Sequence, residues 1–272
     1  MVYKKPSGLF KQYRRSVILL LLIAFFMPAG YADKLASIII DDLGNNLEYG
    51  NMVIELPAPV TLAFLPHTVF ATNLADKAHN AGKEIMLHLP LQSVSHHSHT
   101  PGTLTLHMTQ AEFTRQLDSD IESVPHIKGI NNHMGSLLTQ HPGHMEWLMS
   151  ALSDKGGLYF IDSRTTTESV ASQFANRHKV PHLDRDIFLD PDFRPETIRR
   201  EFTRFINKIN QTGYAIAIAH PHPRTIQFIN EHIDELEKQG IKLVTVSELI
   251  ADKNDREEFK NVASTGATGA GM

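Results

Sequence analysis

Two aspartates stand side by side behind a run of isoleucines in SIIIDDLGNN, as Asp41 and Asp42. Such neighbours repel unless a proton or a cation lies between them. Histidines end other apolar runs: His88 in EIMLHLPLQ, His133 in GINNHMGS beside Asn131 and Asn132, and His220 and His222 in AIAIAHPHPRT, which continues to Arg224. A further run, YFIDSRTT, ends in Asp162, Ser163 and Arg164. One carboxylate with two imidazoles is a facial site for zinc or another first-row divalent ion, with positions left for water and substrate. Such an ion lowers the pKa of bound water toward about 7 and polarises a carbonyl. A second carboxylate then takes the water's proton, and a separate imidazole protonates a departing amine. Asp41 and Asp42 supply the carboxylates, and His220 or His222 the acid.

Each residue has a plainer competitor. An Asp after a strand is often a turn or cap residue, and His88, set among leucines, could be a hydrogen-bonded core histidine. The polar stretch around His133 is long for a core strand. In the extended His-Pro-His, residues two apart face the same side, so both imidazoles could enter one mouth. His96, His97 and His99 lie in a Ser/Thr/Pro-rich loop and read as solvated, while Asp184, Arg185, Asp186 and Asp190 read either as a salt-bridged loop or as a wall of the substrate site.

Positioning these groups requires elements, and the pattern supplies them. Apolar runs of strand length occur at 35–40, 59–66, 84–90, 129–134, 157–162, 214–220 and 242–246, separated by amphipathic helical stretches. Thr109 and Glu112 form a capping box, Pro195 and Gly213 bracket a second helix, and a third runs from Pro223 to Gly240. Strand and helix in alternation imply a parallel sheet with right-handed crossovers. About seven units suggest a distorted (β/α) barrel, in which loops at the strands' carboxyl ends converge on one mouth.

Composition narrows the function. With no cysteine there is no disulfide, zinc-thiolate site or thiol nucleophile, and a net charge of -4 lacks the basic face of a nucleic-acid binder. No dinucleotide loop, Walker sequence or Gly-x-Ser-x-Gly elbow is present, which leaves hydrolysis. Basic residues ahead of VILLLLIAFFM and small residues at Gly30 and Ala32 mark residues 1–32 as a cleaved export signal. The mature chain is then expected in the periplasm or outside the cell, meeting the membrane only through that signal. Residues 33–252 are expected as one domain and 253–272, ending in a Gly-rich stretch, as a flexible tail.

The five quoted blocks together resemble the divergent polysaccharide deacetylases, over about Leu35 to Ile250. The resemblance implies a seven-stranded deacetylase-type barrel, a divalent ion at the strand ends with zinc expected, and removal of acetyl groups from an N-acetylated glycan such as peptidoglycan. It makes Asp41 the base, Asp42 a metal ligand and His220 the acid. The His-x-x-x-His pair of ordinary members is absent: Gln92 follows His88 and Leu137 follows His133 at that spacing. The ligands must therefore come from different strands, with Asp42, His88 and His133 first and His220 and His222 as possible substitutes. Asn132, Asp162, Ser163, Arg164 and Arg224 are expected at the substrate, Arg164 in place of the arginine of the missing Arg-x-Pro-Tyr block. Three alternatives stay open: a non-catalytic envelope protein that binds a glycan or a partner, a glycosidase, and a phosphoesterase.

Overall fold

Ile38, Ile39 and Ile40 are fully buried in β1 (Lys34–Leu43), because both faces of that strand are covered, and a strand covered on both faces needs apolar residues throughout. The computed structural model describes residues 33–95 and 100–267; the expected export signal and His96, His97 and His99 lie outside the described residues. The described residues from Lys34 onward pack as one unit.

The other strands are β2 (Thr61–Phe64), β3 (Glu84–Leu91), β4 (Ile127–Met134), β5 (Tyr159–Asp162), β6 (His182–Asp184), β7 (Ile187–Phe188), β8 (Tyr214–Ala219) and β9 (Ile241–Leu243). All pairings are parallel, in the order β6-β5-β4-β3-β2-β1-β8-β7, with β9 added beside β1. The edge strands β6 and β7 are consecutive in the chain, separated by Arg185 and Asp186 alone. One irregular segment thus pairs with β5 first and β8 next, and joins the two edges of the curled sheet. Counted that way, seven strands surround the axis, but the set differs from the expected one: the β6–β7 segment takes a place in it, and β9, the run expected at 242–246, lies beside β1 off that path. The seven strand-length runs are all strands; β6 and β7 are the addition, in the segment read as a loop or substrate wall. They are too short and too polar, in HLDRDIF, for period counting to find.

Helices surround the sheet: α1 (Leu47–Ile54), α2 (Ala71–Asn80), α3 (Gln110–Ser123), α4 (Pro142–Lys155), α5 (Ala171–Arg177), α6 (Pro195–Thr212), α7 (Pro223–His232), α8 (Asp234–Lys238) and α9 (Val246–Ala267). Thr109 and Glu112 close the capping box of α3 as predicted. α6 begins at Pro195 and ends at Gly213, whose φ of 85° is the left-handed conformation that glycine adopts without strain. It buries Ile198, Phe202, Phe205, Ile206 and Ile209, one stripe at helical spacing, each worth about 1.5–3 kcal/mol. The predicted helix from Pro223 to Gly240 is two, divided at Ile233. The expected tail from residue 253 is entered by α9, which continues to Ala267. Residues 246–260 hold no Gly or Pro, and Asp252 pairs with Arg256 one turn on, both of which favour helix.

Alternation along the strands sorts side chains into an outer layer under the helices and an inner one. Ile38, Ile40, Leu62, Phe64, Ile85, Leu87 and Phe160 belong to the outer core, whereas Ile39, Ala63, Met86, Tyr159, Ile161, Ile216 and Ile218 form a second cluster inside the barrel. Below this plug, at the amino ends, the Glu84 carboxylate accepts hydrogen bonds from Tyr159 Oη at 2.8 Å, Thr61 Oγ1 at 3.1 Å and the Ser247 backbone at 3.2 Å, and from the Ser247 hydroxyl. Gly129 makes room for this layer, since a Cβ there would stand 2.2 Å from the Tyr159 ring. Above the plug, the same parity carries Asp41, His88, Asn131, His133, Ser163 and His220 into the mouth.

Candidate metal centre

Parity alone would send Asp42 away from its neighbour Asp41. The β1–β2 register prevents this: Ile40 pairs with Leu62 and Leu43 with Phe64, so β1 carries one extra residue. Asp42 sits in that bulge at φ 56°, a left-handed conformation that Asp tolerates. Bulges re-aim side chains next to sites, and here both carboxylates reach the mouth.

Asp42 Oδ1 lies 2.9 Å from His133 Nδ1 and 3.2 Å from His88 Nε2, and those nitrogens are 3.1 Å apart. The three side chains come from β1, β3 and β4 and form a cluster able to hold a metal ion. Asn131, fully buried on β4, explains which atoms face inward. Its amide NH2 donates to Asp41 Oδ1 at 2.8 Å and its oxygen accepts from His88 Nδ1 at 2.7 Å. A carboxylate only accepts, so the amide orientation is fixed and the His88 proton sits on Nδ1. In the neutral ring, His88 Nε2 then presents a lone pair toward Asp42 Oδ1 and His133 Nδ1. Asp42 Oδ1 is itself buried without a hydrogen bond.

Three electron-rich atoms facing one another call for a positive charge at their centre. The separations of 2.9–3.2 Å are close to the donor–donor edge of about 3.3 Å that bonds of about 2.0–2.1 Å give in a tetrahedral zinc site. The donor set therefore fits a divalent ion. The pKa shifts register the same demand for positive charge, which a proton on either ring meets in place of an ion. Burial alone would raise the pKa of Asp42, but the His133 and His88 rings outweigh it and hold the carboxyl far below its usual range. For His88, burial works against the charged form and is outweighed by Asp41 and Asp42, so its pKa is raised. Asp41, deeper in the mouth, is raised by burial, against the lowering effects of His88, His220 and Asn131.

His220 closes the mouth from β8. Its Nδ1 is 3.0 Å from Asp190 Oδ1, its backbone N–H donates to Asp190 Oδ2 at 2.9 Å, and its Nε2 points to Asp42 Oδ2 at 3.7 Å. Thr225 Oγ1 donates to the same Asp190 oxygen at 2.9 Å, so a fully buried carboxylate fixes the ring. Burial would lower the pKa of His220, but Asp190 and then Asp41 and Asp42 push it up to about 9.

The remaining expected residues are placed as follows. His222 stands outside the three-residue cluster; it caps α7, its Nδ1 accepting from the Arg224 backbone at 3.2 Å. Arg224 is exposed and enters the hydrogen bonding here through that backbone group. The Asn132 amide is occupied, accepting from the Ser163 backbone and donating to the Met134 carbonyl. Asp162 accepts from the Arg164 backbone and lies 3.7 Å from Arg164 Nη1, with burial raising its pKa. Asp162 Oδ2 faces Arg164 Nη1, and the Ser163 hydroxyl is buried without a hydrogen-bond partner among the described residues. Arg164 occupies a left-handed position, φ 50°, at the rim.

Asn131 and Asp190 carry roles that local sequence does not signal. Of the two neighbouring asparagines only Asn131 shares the parity of His133, and Asp190 stands out from Asp184, Arg185 and Asp186 only through its contact with His220. Arg185 also comes inward: its guanidinium binds the Ser163 and Arg164 carbonyls at 2.6 and 3.1 Å, and the charges of Asp41 and Asp162 oppose the lowering of its pKa by burial.

A parallel barrel whose carboxyl-end mouth gathers an Asp/His/His donor set and a carboxylate-held histidine has the parts of a metal-dependent hydrolase site. The sequence model for the divergent polysaccharide deacetylases matches residues 38–250, and this chain belongs to that family. The uncharacterized protein YibQ of Escherichia coli is 35% identical over 238 residues, 88% of this chain and 74% of that one. Among solved structures, the uncharacterized protein ATU2773 of Agrobacterium tumefaciens superposes with a TM-score of 0.77 at 23% identity, over 82% of this chain and 91% of that one. The peptidoglycan deacetylase PdaC of Bacillus subtilis does so with a TM-score of 0.51 at 16% identity, over 85% and 97%. At these identities the structural matches speak for the fold alone.

Proposed function

We propose that this protein is a metal-dependent hydrolase that removes acetyl groups from an N-acetylated glycan of the cell envelope, such as peptidoglycan. The observation that carries this reading is the triangle of Asp42 Oδ1, His88 Nε2 and His133 Nδ1, with all three atoms within 4.8 Å of one another. These residues would hold a divalent ion, and zinc suits one carboxylate with two imidazoles. A bound ion supplies a Lewis acid for the acetyl carbonyl and lowers the pKa of water toward about 7. The remaining work falls to the chain's own groups. Asp41, oriented by Asn131, accepts the proton of the attacking water, and its raised pKa suits a base. Water adds to the acetyl carbon as the C–N bond breaks, and His220 Nε2 gives its proton to the departing amine. Asp190 keeps the His220 ring aimed throughout, leaving acetate and a free amino sugar as products.

The N-terminal segment, read as an export signal, would bring the protein to a periplasmic or external glycan. Family membership supports the substrate class. A glycosidase would need two carboxylates across a sugar-sized gap of about 5–9.5 Å, whereas Asp41 and Asp42 are neighbours on one bulge. The test is metal content and acetate release. Purified protein should bind one zinc and release acetate from N-acetylated oligosaccharides, and Asp42→Ala and His133→Ala should lose both while remaining folded. Equal zinc in all three proteins would refute the ligand set. Zinc binding with no acetate from any N-acetylated glycan would overturn the deacetylase reading.

A further inference from the structure

The His-Pro-His segment is gripped by one five-residue loop, Asp190 to Arg194. Asp190 holds His220, as described above. Three residues further on, the Phe193 ring lies flat on the His222 imidazole, with centroids 4.0 Å apart and planes 9° apart. His222 cannot turn away, since its Nδ1 caps α7. The loop tip is locked from both sides of Phe193: Arg194 donates to Asp192 from its backbone at 3.0 Å, from Nε at 3.1 Å and from Nη2 at 2.8 Å, and Thr197 Oγ1 donates to the same carboxylate at 3.2 Å. Phe193 is nonetheless 41% exposed. These hydrogen bonds hold one face of an apolar ring on His222 and leave the other open to water.

Its place indicates what it contacts. Among the described residues, the large apolar side chains left exposed are Leu47, Val69, Val94 and Phe193. Each follows the carboxyl end of a strand, so all four border the face that carries the metal centre. Phe193 is the one aromatic among them, and it is tied through His222 to a position two residues from His220. The C–H face of a pyranose packs on a flat ring, and a ring already held on its other side loses little entropy on binding.

We propose that Phe193, backed by His222, is a sugar-stacking platform for the glycan residue next to the one whose acetyl group enters the metal centre. This rests on the reading of the substrate as an N-acetylated glycan. Binding of the β-1,4-linked N-acetylglucosamine tetramer to the full chain, measured by calorimetry, tests it without requiring turnover. Phe193→Ala should weaken binding about tenfold, equivalent to about 1.4 kcal/mol. Phe193→Leu, which keeps apolar bulk and loses the flat face, should lose nearly as much, and Phe193→Trp should retain affinity. Equal affinity in wild type, Ala and Leu variants, or no binding by wild type at millimolar tetramer, overturns the platform. Undiminished tetramer binding with no acetate release overturns the deacetylase reading and leaves the platform standing.

Discussion

Asn131→Ala tests the site most directly, because this residue touches both Asp41 and His88 without belonging to the three-residue donor set. The substitution strands two buried groups, Asp41 Oδ1 and the His88 Nδ1–H, which are 2.8 and 2.7 Å from the amide. Each orphaned group costs about 1–3 kcal/mol, hence about 2–6 kcal/mol together, a large part of a typical domain's stability of about 5–15 kcal/mol. The metal effect is separate. Without the Asn131 oxygen the His88 Nδ1–H loses its hydrogen-bond acceptor, Asp41 Oδ1 being 3.7 Å away, and outer partners of ligating histidines are worth about 10–100-fold in affinity. Urea unfolding of the metal-free proteins and zinc titration of the folded ones separate the two effects. Asn131→Asp offers an acceptor to His88 but no donor to Asp41, so it should hold zinc better than the Ala variant while losing acetate release. Zinc affinity of folded Asn131→Ala within twofold of wild type would refute the orienting role of the amide.

Other predictions concern separate parts of the molecule. His220→Ala should lower acetate release at least about 100-fold with zinc content unchanged, and retained turnover would remove His220 from the mechanism. Glu84→Ala should cost about 2–4 kcal/mol in urea unfolding, since Tyr159, Thr61 and Ser247 all donate to that carboxylate; zinc affinity should stay the same, and an equal loss of zinc would show that the two ends of the barrel are coupled. Burial pushes the Asp120 carboxyl up to about 6, against hydrogen bonds from Gln116 and His67. The folded protein keeps this proton up to that pH while the unfolded chain releases it near about 4. The resulting stability is complete below pH 4 and lost as pH rises through 6, by at most about 3 kcal/mol. Melting curves of wild type and Asp120→Asn should therefore diverge between pH 4 and 7, and parallel curves would exclude the shift.

Much was legible in the chain itself. Strands buried on both faces announce themselves as apolar runs whatever their neighbours, so seven strand segments, the parallel sheet and the polar groups at strand ends could be read without coordinates. So could the capping box of α3 and the Pro195 and Gly213 boundaries of α6, because caps are made by side chains a few residues apart. Tertiary structure alone decided the rest, for one physical reason: those features depend on groups distant in sequence. Register between β1 and β2 creates the bulge that brings Asp42 beside Asp41, and pairing of β3 with β4 sets Asn131 opposite His88. β6 and β7 exist only because β5 and β8 offer them edges. The fates of His220 and His222, identical in local sequence terms, part because Asp190 meets one ring and Phe193 the other.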